Sequence, residues 1–295
     1  MILDAISVGE LAHALATGRA KGIVRRVFHS SVYLESSGGL VLLLRGALKS
    51  PMTINVVEGP DFIQALKVDE AFQTGDGVLR LGETEVRLDA ADVFRSALLN
   101  PRRADPISGA EIVRGAASLK LLYSASEAAL DFASGRAFRA FADSVLRPLA
   151  MGRTEQARSF SNYVGLLGSG TGFTPAGDDF VAGFTAAFNY HARGTGEATI
   201  LLSLAELRGR TVRESAALVD YAQRGYVDEG LQSLILAGLD GKPLQFRAHL
   251  SELASRGHTS GLDMSLGVLM LLASVSDRTR EGRALESSLE VLGDW

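Results

Sequence analysis

The sequence predicts an α+β protein: a small N-terminal antiparallel β-barrel or sandwich domain over residues 1–105, then an α-helical domain over 106–295. Three observations carry this expectation. Short runs with β-like composition dominate the chain before Pro101, and the linker Asn100-Pro-Arg-Arg-Ala-Asp-Pro106 interrupts them. Beyond Pro106, Ala and Leu are abundant and apolar residues recur at three and four positions. A chain of 295 residues is long enough for two domains with sizeable cores.

In chain order, an opening helix includes Ala12-His13-Ala14-Leu15. Strands are expected at 22–28, 31–35, 40–44, 52–57, 78–81 and 85–88. Turn signals separate them: Ser-Gly-Gly at 37–39, Gly59-Pro60 and Gly75-Asp76-Gly77. A helix over about 90–99 leads into the linker. In the second half, Leu119, Leu122, Ala125, Ala129, Phe132 and Phe138 keep helical spacing, as do Phe180, Phe184 and Phe188, which read as one buried stripe. Glycines at 109, 115, 135, 194, 209, 225, 238 and 257 punctuate about eight helices.

Composition narrows the function classes. An apolar content of 46% with 22% charged residues is that of a soluble globular protein. A net charge of −4 excludes a general nucleic-acid binder, which needs a basic face. The pairs Arg25-Arg26 and Arg102-Arg103 read as solvated loop or edge charges. The absence of cysteine removes disulfides, thiolate chemistry and Cys-ligated metals together. Met-Ile-Leu-Asp-Ala carries an acid where a signal peptide is basic, and the longest apolar run, 266–275, is too short to span a bilayer. The expectation is a cytoplasmic protein with no membrane partner.

The most informative stretch is Gly165-Leu-Leu-Gly168-Ser-Gly170-Thr-Gly172-Phe-Thr174-Pro-Ala-Gly177-Asp178-Asp179-Phe-Val-Ala-Gly183. Closely spaced glycines admit positive φ and bring bare N–H groups near a ligand, and the helix start beyond them adds a positive dipole end. Gly168, Gly170, Gly172, Thr174 and Gly177 are therefore candidates for holding a small anion. No Gly-Lys-Ser/Thr follows, so this is not a P-loop, and the dinucleotide fingerprint also fails. A tight connection between helices is the alternative reading.

Part of the pattern recurs 84 residues later. Gly177-Asp-Asp179-Phe-Val-Ala-Gly183 and Gly261-Leu-Asp263-Met-Ser-Leu-Gly267 share Gly-x-Asp-x-x-x-Gly, each preceded by a threonine, Thr174 or Thr259. Two readings stand: acids favoured by the dipole at two helix starts, or two related helix starts sharing one site through Asp179 and Asp263. Asp178, Asp179 and Asp263 are candidate catalytic acids, and Asp179 with Asp263 are candidate ligands for Mg²⁺, which takes few protein carboxylates when a substrate anion supplies the rest. His258, within His258-Thr259-Ser260-Gly261, is the best placed of the five histidines for acid–base work. His29 is second. Thr211 and Ser215 lie one helical turn apart and can present two hydroxyls to one pocket or bond within their own helix. No Gly-x-Ser-x-Gly elbow supports serine acyl transfer.

These residues resemble a bacterial family tied to the third subunit of oxamate carbamoyltransferase. The resemblance rests on Gly168 to Gly183 and on His258-Thr-Ser-Gly-x-Asp263-x-x-x-Gly267. Thr211-x-x-x-Ser215, Ala222-x-x-Gly225 and Phe28-His29-Ser30-Ser31 extend it over most of the chain. Ala176 stands where the family pattern leads us to expect serine, so a hydroxyl at that position is not essential here. The resemblance implies a subunit of a carbamoyltransferase complex. Its partners would be the other subunits, a small anionic substrate and phosphate, with oxalurate and phosphate giving oxamate and carbamoyl phosphate in allantoin catabolism. A homo-oligomer is compatible with this reading. Two alternatives stay open: a Mg²⁺-dependent hydrolase of a small phosphorylated or amide substrate, and a non-catalytic anion-binding assembly subunit.

Overall fold

The computed structural model describes residues 1–56, 62–102, 105–125, 135–170, 172–257, 259–279 and 283–293. Val57, Gly59-Pro60, Arg103, Ala129, Phe132 and His258, all used in the sequence expectations, lie outside them. The chain divides into two compact units, Met1–Ser96 and Ala97–Trp295.

The first unit is an eight-stranded β-barrel. Its elements are β1 (Ile2–Gly9), α1 (Glu10–Thr17), β2 (Lys21–Val27), β3 (Ser31–Ser36), β4 (Gly39–Arg45), β5 (Thr53–Val56), α2 (Phe62–Ala65), β6 (Ala71–Gly75), β7 (Val78–Leu81), β8 (Thr84–Arg87) and β9 (Asp92–Phe94). The hydrogen-bonded order is β5-β4-β3-β2-β6-β7-β8-β1, and β1 closes onto β5 with Ala5 opposite Val56. Closure removes the open edges on which a small sheet would aggregate. Alternation fills the interior: Leu3, Val24, Leu34, Leu43, Ile54 and Leu79 all point inward and are buried. Between β6 and β7, Asp76 and Gly77 have φ of 55° and 75°, the left-handed pair that a two-residue hairpin turn requires.

The barrel is not purely antiparallel. β4–β5 and β1–β8 are parallel, and β9 runs parallel to the far half of β1, Val8 opposite Val93. The helix expected over 90–99 is accordingly β9 followed by a 3₁₀ turn at Ala97–Leu99. Asp92-Val93-Phe94 satisfies its backbone by pairing along β1, so a tertiary partner overrides the helical spacing. The strands β1 and β6 lie outside the sequence expectations: β6 exposes the small or polar Ala71 and Gln73, whereas β1 exposes Ile2 and Ile6 and so lacks the apolar-in, polar-out alternation of a half-buried strand.

The second unit is helical. It comprises α3 (Gly109–Ala125), α4 (Arg136–Phe141), a π turn at Ala142–Leu146, α5 (Arg147–Ala150), α6 (Thr154–Ala157) and a 3₁₀ turn at Phe160–Asn162. There follow α7 (Ala176–Thr195), α8 (Leu204–Arg208), α9 (Arg213–Arg224), α10 (Glu229–Leu239), α11 (Pro243–Ala254), α12 (Ser260–Thr279) and α13 (Ala284–Gly293). Among the described residues seven of these helices have ten or more residues.

α7 is the central helix. Every residue from Gly177 to Ala192 is buried, so it is enclosed on all sides rather than amphipathic. Phe180, Phe184 and Phe188 stack along one face, and Phe141 meets both Phe180 and Phe184 edge-on at centroid distances of 5.5 and 5.2 Å. Full burial of each such ring contributes about 2–3 kcal/mol. Gly196 ends the helix in the left-handed conformation, φ 78°. Gly115, Gly194 and Gly238, expected as punctuation, instead lie inside helices. The absent side chains at Gly115 and Gly238 leave room for Leu269 and Leu272 of α12.

Candidate functional site

The two Gly-x-Asp-x-x-x-Gly segments form the starts of α7 and α12, and these helices meet backbone to backbone. A Cβ on Gly183 would lie 2.2 Å from the Met264 carbonyl oxygen, and one on Gly267 would lie 2.3 Å from that of Phe180. Met264 follows Phe180 by the same 84 residues that separate the glycines, so the contact is reciprocal. The likeness extends upstream. Ser169 N–H donates to Leu166 and Arg256 N–H to Leu253, each at 3.0 Å. Gly177 N–H then donates to the Ser169 carbonyl and Gly261 N–H to that of Arg256. A Cβ on Gly177 or Gly261 would lie 2.0 or 1.8 Å from the Leu166 or Leu253 carbonyl oxygen. Two copies of one helix-start geometry thus face each other, and the copy at α7 carries the longer, Gly-rich loop.

That loop turns through three left-handed glycines, Gly168, Gly170 and Gly172, with φ of 75°, 96° and 114°. Gly168 N–H donates to Asp178 Oδ1 at 2.8 Å, while Thr211 Oγ1 donates to Asp178 Oδ2. Ser215, in the first turn of α9, faces the same carboxylate without making a well-formed bond. Asp178 therefore ties the loop to the start of α9. The amides of Gly168, Ser169 and Gly177 are taken up inside the protein, the first by this internal carboxylate rather than by an external anion. Burial raises the Asp178 pKa, against the opposing bonds from Thr211 and Gly168.

Asp179 points to the α12 side. Thr174 Oγ1 donates to its Oδ2 at 2.9 Å and lies 2.9 Å from Ser260 Oγ, so these hydroxyls link the two helix starts. Asp263 Oδ1 accepts from the Tyr123 hydroxyl of α3 at 2.5 Å. The second oxygen of each acid, Asp179 Oδ1 and Asp263 Oδ2, is buried and has no hydrogen-bond donor. Burial pushes Asp179 up to about 7, helped by the charges of Asp263 and Asp178 and opposed by the Ser260 and Thr174 hydroxyls. Burial likewise raises Asp263 to about 6, opposed by Tyr123 and Thr259. Buried acids whose ionised form is disfavoured by burial and by each other can hold a proton or a cation at neutral pH.

The structure therefore gathers Gly168, Thr174, Asp178, Asp179, Thr211, Ser215, Thr259, Ser260 and Asp263 around the starts of α7, α9 and α12. Gly170 packs on Ala176, Gly172 lies beside Thr174, and Gly177 and Gly261 supply the close approaches. His29 belongs to the first unit, in the exposed turn after β2, where its carbonyl accepts from Gln64. Tyr123 is the residue that sequence reasoning missed. Its only sequence signal is a polar-tipped ring in an apolar helical stripe, four residues after Leu119. Among the described residues no group of three or more His, Cys, Asp or Glu side chains is arranged to hold a metal ion, and no helix is long and apolar enough to cross a membrane.

Residues 166–272 match the family model described as oxamate carbamoyltransferase subunit AllH, which supports an AllH-like family. The matched stretch runs from the Gly-rich loop through α7, α9 and most of α12. No curated protein and no solved structure matches the chain.

Proposed function

We propose that this chain is a subunit of a carbamoyltransferase complex in allantoin catabolism, active on oxalurate or a related N-carbamoyl compound. One observation carries the reading: the stretch matching the oxamate carbamoyltransferase subunit contains both Gly-x-Asp segments, which the fold brings together. In the proposed reaction a phosphate oxygen attacks the ureido carbonyl carbon and the carbon–nitrogen bond breaks. The leaving amide nitrogen takes a proton, so the products are oxamate and carbamoyl phosphate. Such a transfer needs no covalent enzyme intermediate; positioning two anions and offsetting their charge suffices. Asp178 and Thr211 would hold the loop that lines the substrate. Asp179 and Asp263 would supply the acid–base or charge-balancing groups, with His258 beside them in sequence. The substrates are soluble metabolites, consistent with a cytoplasmic complex.

A second reading, a non-catalytic assembly subunit, is favoured by burial: Asp178, Asp179 and Asp263 are all at or below 2% exposed, so substrate reaches them only if the site opens. The two readings separate in one assay. Purified chain, partner subunits, and both together are given oxalurate and phosphate, and carbamoyl phosphate is measured. The catalytic reading expects product from the assembled complex and at least a 10²-fold loss with Asp179→Asn or Asp263→Asn. Full activity of complexes carrying either variant selects the assembly role. No product from any carbamoyl donor removes the transferase reading.

A further inference from the structure

We infer that Asp179 and Asp263 together bind one hard divalent cation of the Mg²⁺ or Mn²⁺ class. The inference stands on the geometry of the helix pair and does not depend on the carbamoyl-transfer reading. Asp179 is fully buried and Asp263 is 2% exposed, and each uses one carboxylate oxygen to accept from a protein hydroxyl, Thr174 or Tyr123. Each leaves its other oxygen, Oδ1 of Asp179 and Oδ2 of Asp263, buried with no donor. A buried carboxylate oxygen without a donor is costly, and two on adjacent acids compound the cost.

The Ser260 and Thr259 hydroxyls and the two helix starts offset it in part, but among the described residues no cationic side chain is one of the groups acting on either acid. The charges acting most on Asp179 are those of Asp263 and Asp178, both negative. Asp178 has both oxygens occupied, by Gly168 N–H and the Thr211 hydroxyl, so it adds charge but no free ligand. The missing component is therefore positive. Two oxygens from two carboxylates, with the linked Thr174 and Ser260 hydroxyls beside them, form an all-oxygen donor set. Hard divalent cations select such sets, and Mg²⁺ accepts one or two carboxylates while drawing its remaining ligands from water or a substrate anion. The reciprocal approach at Gly183 and Gly267 fixes the relative position of the helix starts that carry these two acids.

The competing arrangement is a single proton shared by the two acids, and the experiment is chosen to separate them. The chelator-treated full-length chain is titrated with Mn²⁺ at pH 7.5, bound metal being read by electron paramagnetic resonance, and Mg²⁺ is added as competitor. One site per chain is expected, displaced by Mg²⁺. Affinity should fall at least 100-fold in Asp179→Asn and in Asp263→Asn. Both variants replace a buried charge by an isosteric amide; circular dichroism checks that they are folded. Retention of the site in Asp178→Asn is a further expected result. No bound Mn²⁺ at millimolar concentration, with the parent taking up one proton more than Asp179→Asn between pH 8 and 5, would establish the shared proton and overturn the inference. Unchanged binding in both pair variants would overturn it equally. Loss of carbamoyl transfer with binding intact would count against the proposed function alone.

Discussion

Gly183 and Gly267 each sit against the backbone of the other's helix, Gly183 on Met264 and Gly267 on Phe180, so close that an added Cβ would lie 2.2 and 2.3 Å from the facing carbonyl oxygens. Neither glycine has a positive φ, so the requirement is closeness of approach rather than backbone conformation. One turn before each lies the acid of the pair, and the crossing point thereby sets the spacing of the candidate site.

Gly183→Ala and Gly267→Ala should each destabilise the helical unit by at least about 2 kcal/mol, because a backbone neighbour cannot move aside as a side-chain tip can. Gly196→Ala, at φ 78° with nothing nearby, should cost only about 1 kcal/mol through strain. Denaturant unfolding of the three variants checks the order. Equal effects would remove the close-approach argument.

Asp178→Ala should release the Gly-rich loop. Two bonds are lost, from Gly168 N–H and Thr211, at a cost of about 1–3 kcal/mol. Amide exchange over residues 166–175 should quicken well before global unfolding. Thr211→Val should show a smaller effect in the same loop, and unchanged protection in both variants would contradict the tie.

The pH dependence of the metal-free chain has a definite sign. Asp179 has a folded pKa of about 7, above its ordinary value, so the folded state binds the proton more tightly than the unfolded one. Its contribution to stability is complete below about pH 4 and is lost as pH rises toward 7, by on the order of 4 kcal/mol at most. Asparagine mimics the protonated acid. Without added cation, Asp179→Asn should therefore be more stable than the parent at pH 8 and lose that advantage at pH 4. Urea midpoints at the two pH values test this, and a constant difference would refute it.

Tyr123→Phe removes the hydroxyl donated to Asp263 while keeping the buried ring. The variant should lose about 1–3 kcal/mol of stability at pH 8, where Asp263 is ionised, and less at pH 5, where the acid holds its own proton. Thermal unfolding at both pH values is the readout. A loss that does not change with pH would assign Tyr123 to packing only.

The division into a β-rich first unit and a helical second one was legible because composition and period change together near Pro101. The Phe180, Phe184 and Phe188 stripe was legible because a helix repeats its face every three to four residues. The repeated Gly-x-Asp pattern was legible as a repeat, because aspartate there answers a local demand, a helix start; that Gly183 and Gly267 admit the other helix was not. The sequence could not decide that the strands close into a barrel with parallel pairs, that Asp92-Val-Phe94 pairs with β1, or that Gly115 and Gly238 admit leucines of α12. Nor could it assign different partners to neighbouring acids, Asp178 toward Gly168 and Thr211, Asp179 toward Thr174 and the α12 start. Those outcomes depend on groups far apart in the chain: Tyr123 reaches Asp263 across 140 residues. Local periodicity reports which face of an element is apolar, whereas the partner that meets that face is chosen by packing and by pairing of buried polar groups, which exist only once the chain has folded.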